Sequence, residues 1–176
     1  TQVAFAVPTY WSDEQLGLML GLAVDAGIPL TGLATLPVAA TRRSYPDYEL
    51  LHIETGLTAT SVARLRQDSA AALSDDVALL DMGTVQLERS MAEYFARRFL
   101  ECSRFDPMHD AASEQAIYDQ LDDWVAILAA NGEAELRTEH KGNQFTAATN
   151  YADLQAWLQL RCQPLNQSLR AKTSVE

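Results

Sequence analysis

The sequence is poor in cysteine, with Cys102 and Cys162 alone among its 176 residues. These two form no CxxC pair and no cluster with histidine, so we expect free thiols in a reducing, cytoplasmic setting rather than a metal site. No apolar run approaches the roughly 20 residues that a membrane-spanning helix needs. The opening residues, TQVAFAVPTY, show neither the basic start nor the cleavage site of a signal peptide. A membrane partner is therefore not expected.

Basic residues are also scarce. Lysine and arginine number 13 against 24 acidic residues, which gives a formal net charge of -11. Such a chain repels the phosphate backbone, so nucleic acid is not an expected partner. Hydrophobic residues at 48% and charged residues at 21% are typical of a globular protein.

Several phosphate and nucleophile motifs are missing as well. There is no P-loop, no GxGxxG and no nucleophile elbow. The chain begins with Thr1 instead of methionine and opens directly in a strand pattern, so we expect an excised fragment of a longer protein.

The pattern that is present alternates strands with helices in the first half. A buried strand is predicted over 2–7, and Ser12 is a suitable N-cap for an apolar helix that ends at Gly27. The glycines of this helix (Gly17, Gly21 and Gly27) predict close packing on a sheet. Pro37 then opens a short helix, and further strands follow, with a hairpin around Gln67 and Asp68.

In the second half a long amphipathic helix begins at Thr84, and another spans about Ala111 to Ala130. A hairpin about His140 to Asn143 follows, and Asn150 caps a last helix that Pro164 interrupts. This order predicts an α/β class with a second subdomain that begins near residue 100.

The segment from His52 to Ser61 is the first candidate site. A strand ends in Glu54, Gly56 turns the chain, and hydroxyl residues including Thr58 follow. Backbone amides in such a turn can hold phosphate oxygens, and the carboxylate can hold magnesium. The alternative is a plain β-hairpin whose threonines face solvent.

Gly83 and Thr84 form a second possible phosphate contact, since helix N-termini attract anions. The alternative is an ordinary turn with Thr84 as the N-cap.

Two other groups of residues are predicted to be structural. One is an aromatic set in the core, and the other is an acidic set on a solvated helix face. They are Tyr94, Phe95 and Phe99, and Asp119, Asp122 and Asp123.

The first segment resembles the DnaK-like seventy-kilodalton heat-shock chaperones. Val7–Gln15 (VPTYWSDEQ) is similar to that family's V-P-A-Y-F-N-D-x-Q. Ala26–Ile28 (AGI) and Thr35–Thr41 (TLPVAAT) resemble its A-G-L and N-E-P-T-A-A-A at the same spacing.

Later segments follow in the same order with fewer identities. Glu54–Ala59 (ETGLTA) resembles the second phosphate motif, D-L-G-G-G-T, and Met82–Glu88 (MGTVQLE) resembles L-G-G-E-D-F-D. Lys141–Phe145 (KGNQF) resembles E-G-x-D-F in a hairpin.

The resemblance implies a partial ribonuclease H-like, actin-like ATPase fold, in which two lobes close on ATP or ADP with Mg²⁺. Residues 1–46 would end the front lobe, 47–105 would form the ribonuclease H-like rear subdomain, and 106–176 would form a small α+β subdomain and a returning helix. The first phosphate loop and the catalytic lysine of the family would lie outside this segment. The fragment alone is therefore not expected to hydrolyse ATP.

The resemblance also implies site residues. Pro8 would couple domains, Glu54 would hold Mg²⁺, and client polypeptides and co-chaperones would bind through the parent protein. The nucleotide would contact Glu54, Gly56, Thr58, Gly83, Thr84 and Asp122.

The departures from the family fall on the chemistry. Leu36 replaces the acid of N-E-P, Leu16 replaces an arginine of the interdomain relay, and Leu57 and Thr58 replace glycines that let phosphate approach. The positions of the adenine clamp correspond to Asp122, Val125, Ala126 and Ala129, where only the acid is kept. The alternative function is therefore a pseudo-ATPase that serves as a protein-interaction scaffold. A sugar kinase or a cell-division filament protein of the same superfamily is a remoter alternative.

Overall fold

The computed structural model describes residues 2–68 and 70–173. It is mixed α/β, with 49% helix and 30% strand. The chain divides into two compact units, Thr1–Asp81 with Leu165–Glu176, and Met82–Pro164. The class agrees with the sequence prediction, whereas the actin-like fold and the three-part division remain predictions.

The first unit begins with a two-stranded parallel sheet. Strands β1 (Val3–Val7) and β2 (Leu30–Thr35) are joined by helix α1 (Asp13–Asp25). As predicted, Ser12 is the N-cap, and its hydroxyl accepts from the Gln15 amide while the Gln15 side chain accepts from the Ser12 amide. Such a capping box satisfies two amides that would otherwise lack partners.

Helix α1 does not pack as the sequence predicts. An added Cβ at Gly17, Gly21 or Gly27 would meet no heavy atom of the described residues within 4 Å, so the expected close packing is wrong. Apolar residues surround this helix instead of forming one stripe, and only part of that apolar surface is covered by the described residues. Ala23 is buried, but Leu18 and Val24 on other faces are 68% and 76% exposed.

The rest of the first unit is an antiparallel sheet in the order β3-β4-β5. Its strands are β3 (Leu50–Thr55), β4 (Ala59–Gln67) and β5 (Ala71–Leu80). Helix α2 (Leu36–Ala40), which contains the buried Pro37, contacts strands of both sheets. Helix α6 (Gln163–Thr173) contributes its later residues to this unit.

The second unit has helices α3 (Thr84–Ser103), α4 (Ala111–Asn131) and α5 (Tyr151–Arg161) around the hairpin of β6 (Glu133–His140) and β7 (Asn143–Asn150). Its hydrophobic core confirms the predicted aromatic set. Phe95 packs edge-on against Tyr94 and Trp124, with ring centroids 5.3 Å and 5.2 Å apart. Residues of α4, both strands and α5 complete this core.

Candidate functional site

The register of the antiparallel sheet in the first unit places three polar side chains on one face. Glu54 lies opposite Ser61, and His52 lies opposite Ala63. Since side chains two residues apart on a strand share a face, His52, Glu54 and Ser61 are neighbours there.

These polar groups are buried without protein partners. Ser61 is fully buried, and neither its Oγ nor Oε2 of Glu54 has a hydrogen bond within the described part of the chain. Oγ1 of Thr9, in the loop after β1, is also buried and has no hydrogen bond within the described residues. An unsatisfied buried group costs about 1–3 kcal/mol. Such atoms therefore indicate where a ligand, an ion or a water would complete the structure.

Tyr10 comes from the same loop and lies against the turn between β3 and β4. A Cβ on Gly56 would come within 2.9 Å of the Tyr10 hydroxyl, so only glycine fits at this position without rearrangement. Burial, and secondly the charge of Glu54, raise the pKa of Tyr10 above its ordinary value. Tyr10, Glu54 and Gly56 therefore form one site.

The turn itself is closed by its own hydrogen bond. The Gly56 amide donates to the Ala59 carbonyl at 2.8 Å. The segment is therefore a β-hairpin. Thr55 and Thr58 are exposed in it, whereas Thr60 is buried, so the expectation that its threonines face solvent holds only in part. A phosphate group at this turn would have to use the amides of Leu57 and Thr58. The Leu57 side chain is 72% exposed.

The other predicted nucleotide contacts belong to the second unit. Helix α3 begins at Thr84, and its N-cap is Gly83. The prediction that Thr84 is the N-cap is therefore wrong. The Gly83 amide donates to Oε1 of Gln86 at 3.0 Å. Asp122 lies on the exposed side of α4, as predicted for the acidic set.

Pro8, the residue predicted to couple domains, belongs to the first unit. It directly follows β1 and is partly buried.

A cationic cluster in the first unit was not predicted. Lys172 of α6 is only 7% exposed, and its Nζ donates to Asp75 of β5. Arg64 of β4 donates to the Lys172 carbonyl and lies 3.6 Å from a Glu49 oxygen. The hydrogen bond from Lys172 is the main reason that the pKa of Asp75 lies below its usual value. Sequence spacing gives no sign of this cluster because its members lie far apart in the chain.

Thr9 was not predicted, and Ser61 was predicted only as one of the hydroxyl residues of the segment from His52 to Ser61, with no contact assigned to it. The available signal was the hairpin register: once the turn is fixed at Gly56, Ser61 must face Glu54.

No group of three or more histidine, cysteine, aspartate or glutamate side chains suited to a metal occurs within the described ranges. No helix there is both long and apolar enough to cross a membrane.

Comparison with known proteins gives no relative. No model of a known protein family matches the sequence. No curated protein matches it significantly.

Proposed function

We propose that this chain is a fragment of the nucleotide-binding domain of a cytoplasmic, DnaK-like chaperone with an actin-like ATPase fold, and that it binds ATP or ADP weakly at the β3–β4 turn. One observation carries the proposal. Tyr10 belongs to the first segment of the family resemblance, and Glu54 and Gly56 belong to the phosphate-like segment. These segments are distant in sequence, and they form one site.

The chemistry of Glu54 supports a magnesium role. One of its carboxylate oxygens is buried and has no protein partner in the described chain, and Mg²⁺ in nucleotide sites commonly takes one or two carboxylates together with phosphate oxygens. Glu54 would hold the ion, directly or through water, and the ion would neutralise the phosphates. Thr58 would offer its amide and hydroxyl to a phosphate oxygen. Gly83, Thr84 and Asp122 remain predicted contacts.

The same geometry supports a proposal of weak binding. The Gly56 amide is already bonded within the hairpin, and Leu57 and Thr58 carry side chains where the family has glycine. The fragment alone is not proposed to hydrolyse ATP. In the parent protein, nucleotide would control the binding of client polypeptides and co-chaperones.

A second function is favoured by the exposed apolar residues of the first unit. Leu18, Leu22 and Val24 of α1 are each at least 60% exposed. An apolar surface of this kind suits a non-hydrolysing pseudo-ATPase that acts as a protein-interaction scaffold.

The test is a calorimetric titration of Mg-ATP into the intact protein that carries this chain. We expect micromolar binding, about -8 kcal/mol, which Glu54→Gln weakens about tenfold or more because the charge at the metal is lost. The matched control is Glu133→Gln, at an exposed position in β6. No heat at millimolar Mg-ATP would contradict the nucleotide proposal and leave the scaffold. Equal weakening by both variants would contradict the assignment to Glu54.

A further inference from the structure

A cleft of about 270 Å³ lies at the other end of β3, between that strand and the segment that follows α2. Its polar lining includes Arg42, Arg43, Tyr45 and His52. None of the predicted nucleotide contacts lines the cleft, although His52, which does, shares a face of β3 with Glu54.

The two adjacent arginines bring two positive charges to one cleft of an acidic chain. Two other arginines of the first unit pair with carboxylates, Arg64 with Glu49 and Arg66 with Asp68. Arg42 and Arg43 are exposed, and neither has a carboxylate within 4.0 Å among the residues described. A guanidinium group is suited to bind carboxylate or phosphate oxygens in a bidentate manner.

The segment that carries the arginines is held in place. The side-chain amide of Gln67 donates to the Arg43 carbonyl at 2.7 Å and accepts from the Tyr45 amide at 3.0 Å. The Thr41 hydroxyl donates to the Pro37 carbonyl at 2.8 Å. A binding loop that is already ordered loses little conformational entropy when a ligand arrives.

The remaining lining suits a ligand with an apolar body. Leu50 and Leu65 face each other across β3 and β4 and line the cleft. His52 lines it too, and its buried Nε2 has no hydrogen-bond partner in the described ranges. Small-molecule sites combine such apolar walls with a few convergent polar groups.

We propose that this cleft binds a small organic oxyanion, a carboxylate or a phosphate ester with an apolar body. Arg42 and Arg43 bind the oxyanion, Leu50 and Leu65 contact the body, and Gln67 is a positioning residue for the loop. This inference does not depend on the proposed nucleotide function.

The test uses the full chain with phenyl phosphate and benzoate as probes and neutral benzyl alcohol as the comparison. We expect one or both anions to bind and the alcohol not to; the stronger anion identifies the group that is recognised. The double substitution Arg42→Gln and Arg43→Gln should weaken binding at least about tenfold, which corresponds to the loss of about 1.4 kcal/mol. Arg104→Gln, at an exposed position of the second unit, is the matched control and should change nothing.

Imidazole resonances give an independent readout. The His52 signals should move when the anion binds, while His109 and His140 of the second unit stay unchanged. Since ATP is itself an anion, Mg-ATP is also titrated into the double variant: unchanged ATP binding there would keep the two sites distinct. The proposal is overturned if neither anion binds, if the alcohol binds equally, or if the double variant binds like the control.

Discussion

The two units of this chain differ in how fully their buried polar groups are hydrogen-bonded. In the second unit, Ser113 donates to the Pro107 carbonyl at 2.7 Å, and Tyr94 is bonded to Thr149. In the first unit, five buried side-chain polar atoms lack a partner within the described chain, and the second unit has none there. They belong to Thr9, His52, Glu54, Ser61 and Arg64.

The units differ in their helices as well. Helix α3 of the second unit buries Phe95 and Phe99 completely, whereas α1 of the first leaves Leu18 and Leu22 mostly exposed. A closed core with satisfied hydrogen bonds is characteristic of a rigid structural unit. Unsatisfied polar atoms and exposed apolar residues are characteristic of a unit that binds other molecules. The comparison is consistent with the proposal of binding sites in the first unit.

The largest expected effect is a loss of core packing in the second unit. Phe95 is fully buried between two aromatic rings, so Phe95→Ala should lower the free energy of unfolding by about 3–5 kcal/mol. Urea denaturation followed by circular dichroism measures this. Tyr48→Ala, at a site 79% exposed in the first unit, should change it by less than about 0.5 kcal/mol. A small loss for Phe95→Ala would contradict the closed core.

The next effect compares one substitution in the two units. Ser61 and Ser113 are both almost completely buried, but Ser113 is hydrogen-bonded, whereas Ser61 has no hydrogen bond to any described residue. Ser113→Ala should cost about 0.5–1.5 kcal/mol, and Ser61→Ala should cost nothing or stabilise by about 1 kcal/mol. Thermal unfolding of both variants decides this. Equal losses would remove the distinction between the units.

A third effect concerns pH and the cationic cluster. Because the pKa of Asp75 is lower in the folded chain than its usual value, its pairing stabilises the fold above about pH 4. That contribution is lost as pH falls through the lowered pKa. Asp75→Asn should therefore flatten the pH dependence of stability below about pH 4, by about 1 kcal/mol or less because Asp75 is more than half exposed. An unchanged acid profile would argue against the pairing.

The smallest effect is expected on α1. Leu18→Gln should alter the free energy of unfolding by less than about 0.5 kcal/mol, since the side chain is 68% exposed. Chemical denaturation measures it, and Leu121→Gln, at a buried position of α4, is the contrasting control. A loss above about 2 kcal/mol for Leu18→Gln would mean that α1 is covered after all.

Local signals in the sequence predicted the elements well. Ser12 and Gly27 bounded α1, Asn150 capped α5, and the chain turned at Lys141 and Gly142. Caps and turns are set by neighbouring residues, so a single sequence contains them. The exposure of α1 was not predictable, because an apolar helix has the same sequence pattern whether or not another element covers it.

The candidate site was predictable only in part. Glu54, Gly56 and Thr58 were recognised from their order in one strand and turn. Three contacts depend on tertiary packing. Tyr10 approaches Gly56, Lys172 is buried beside Asp75, and Gln67 donates a hydrogen bond to the Arg43 carbonyl. No local pattern encodes such contacts.

The most direct test is a map of backbone amide chemical shifts across the chain during titrations with Mg-ATP and with phenyl phosphate. We predict that Mg-ATP moves the amides of Tyr10, Leu57 and Thr58, that phenyl phosphate moves those of Arg42 and Arg43, and that the core amides of the second unit stay in place. Binding would then lie in the first unit. The account is contradicted if neither ligand moves a first-unit amide at millimolar concentration, or if the largest shifts fall in the core of the second unit.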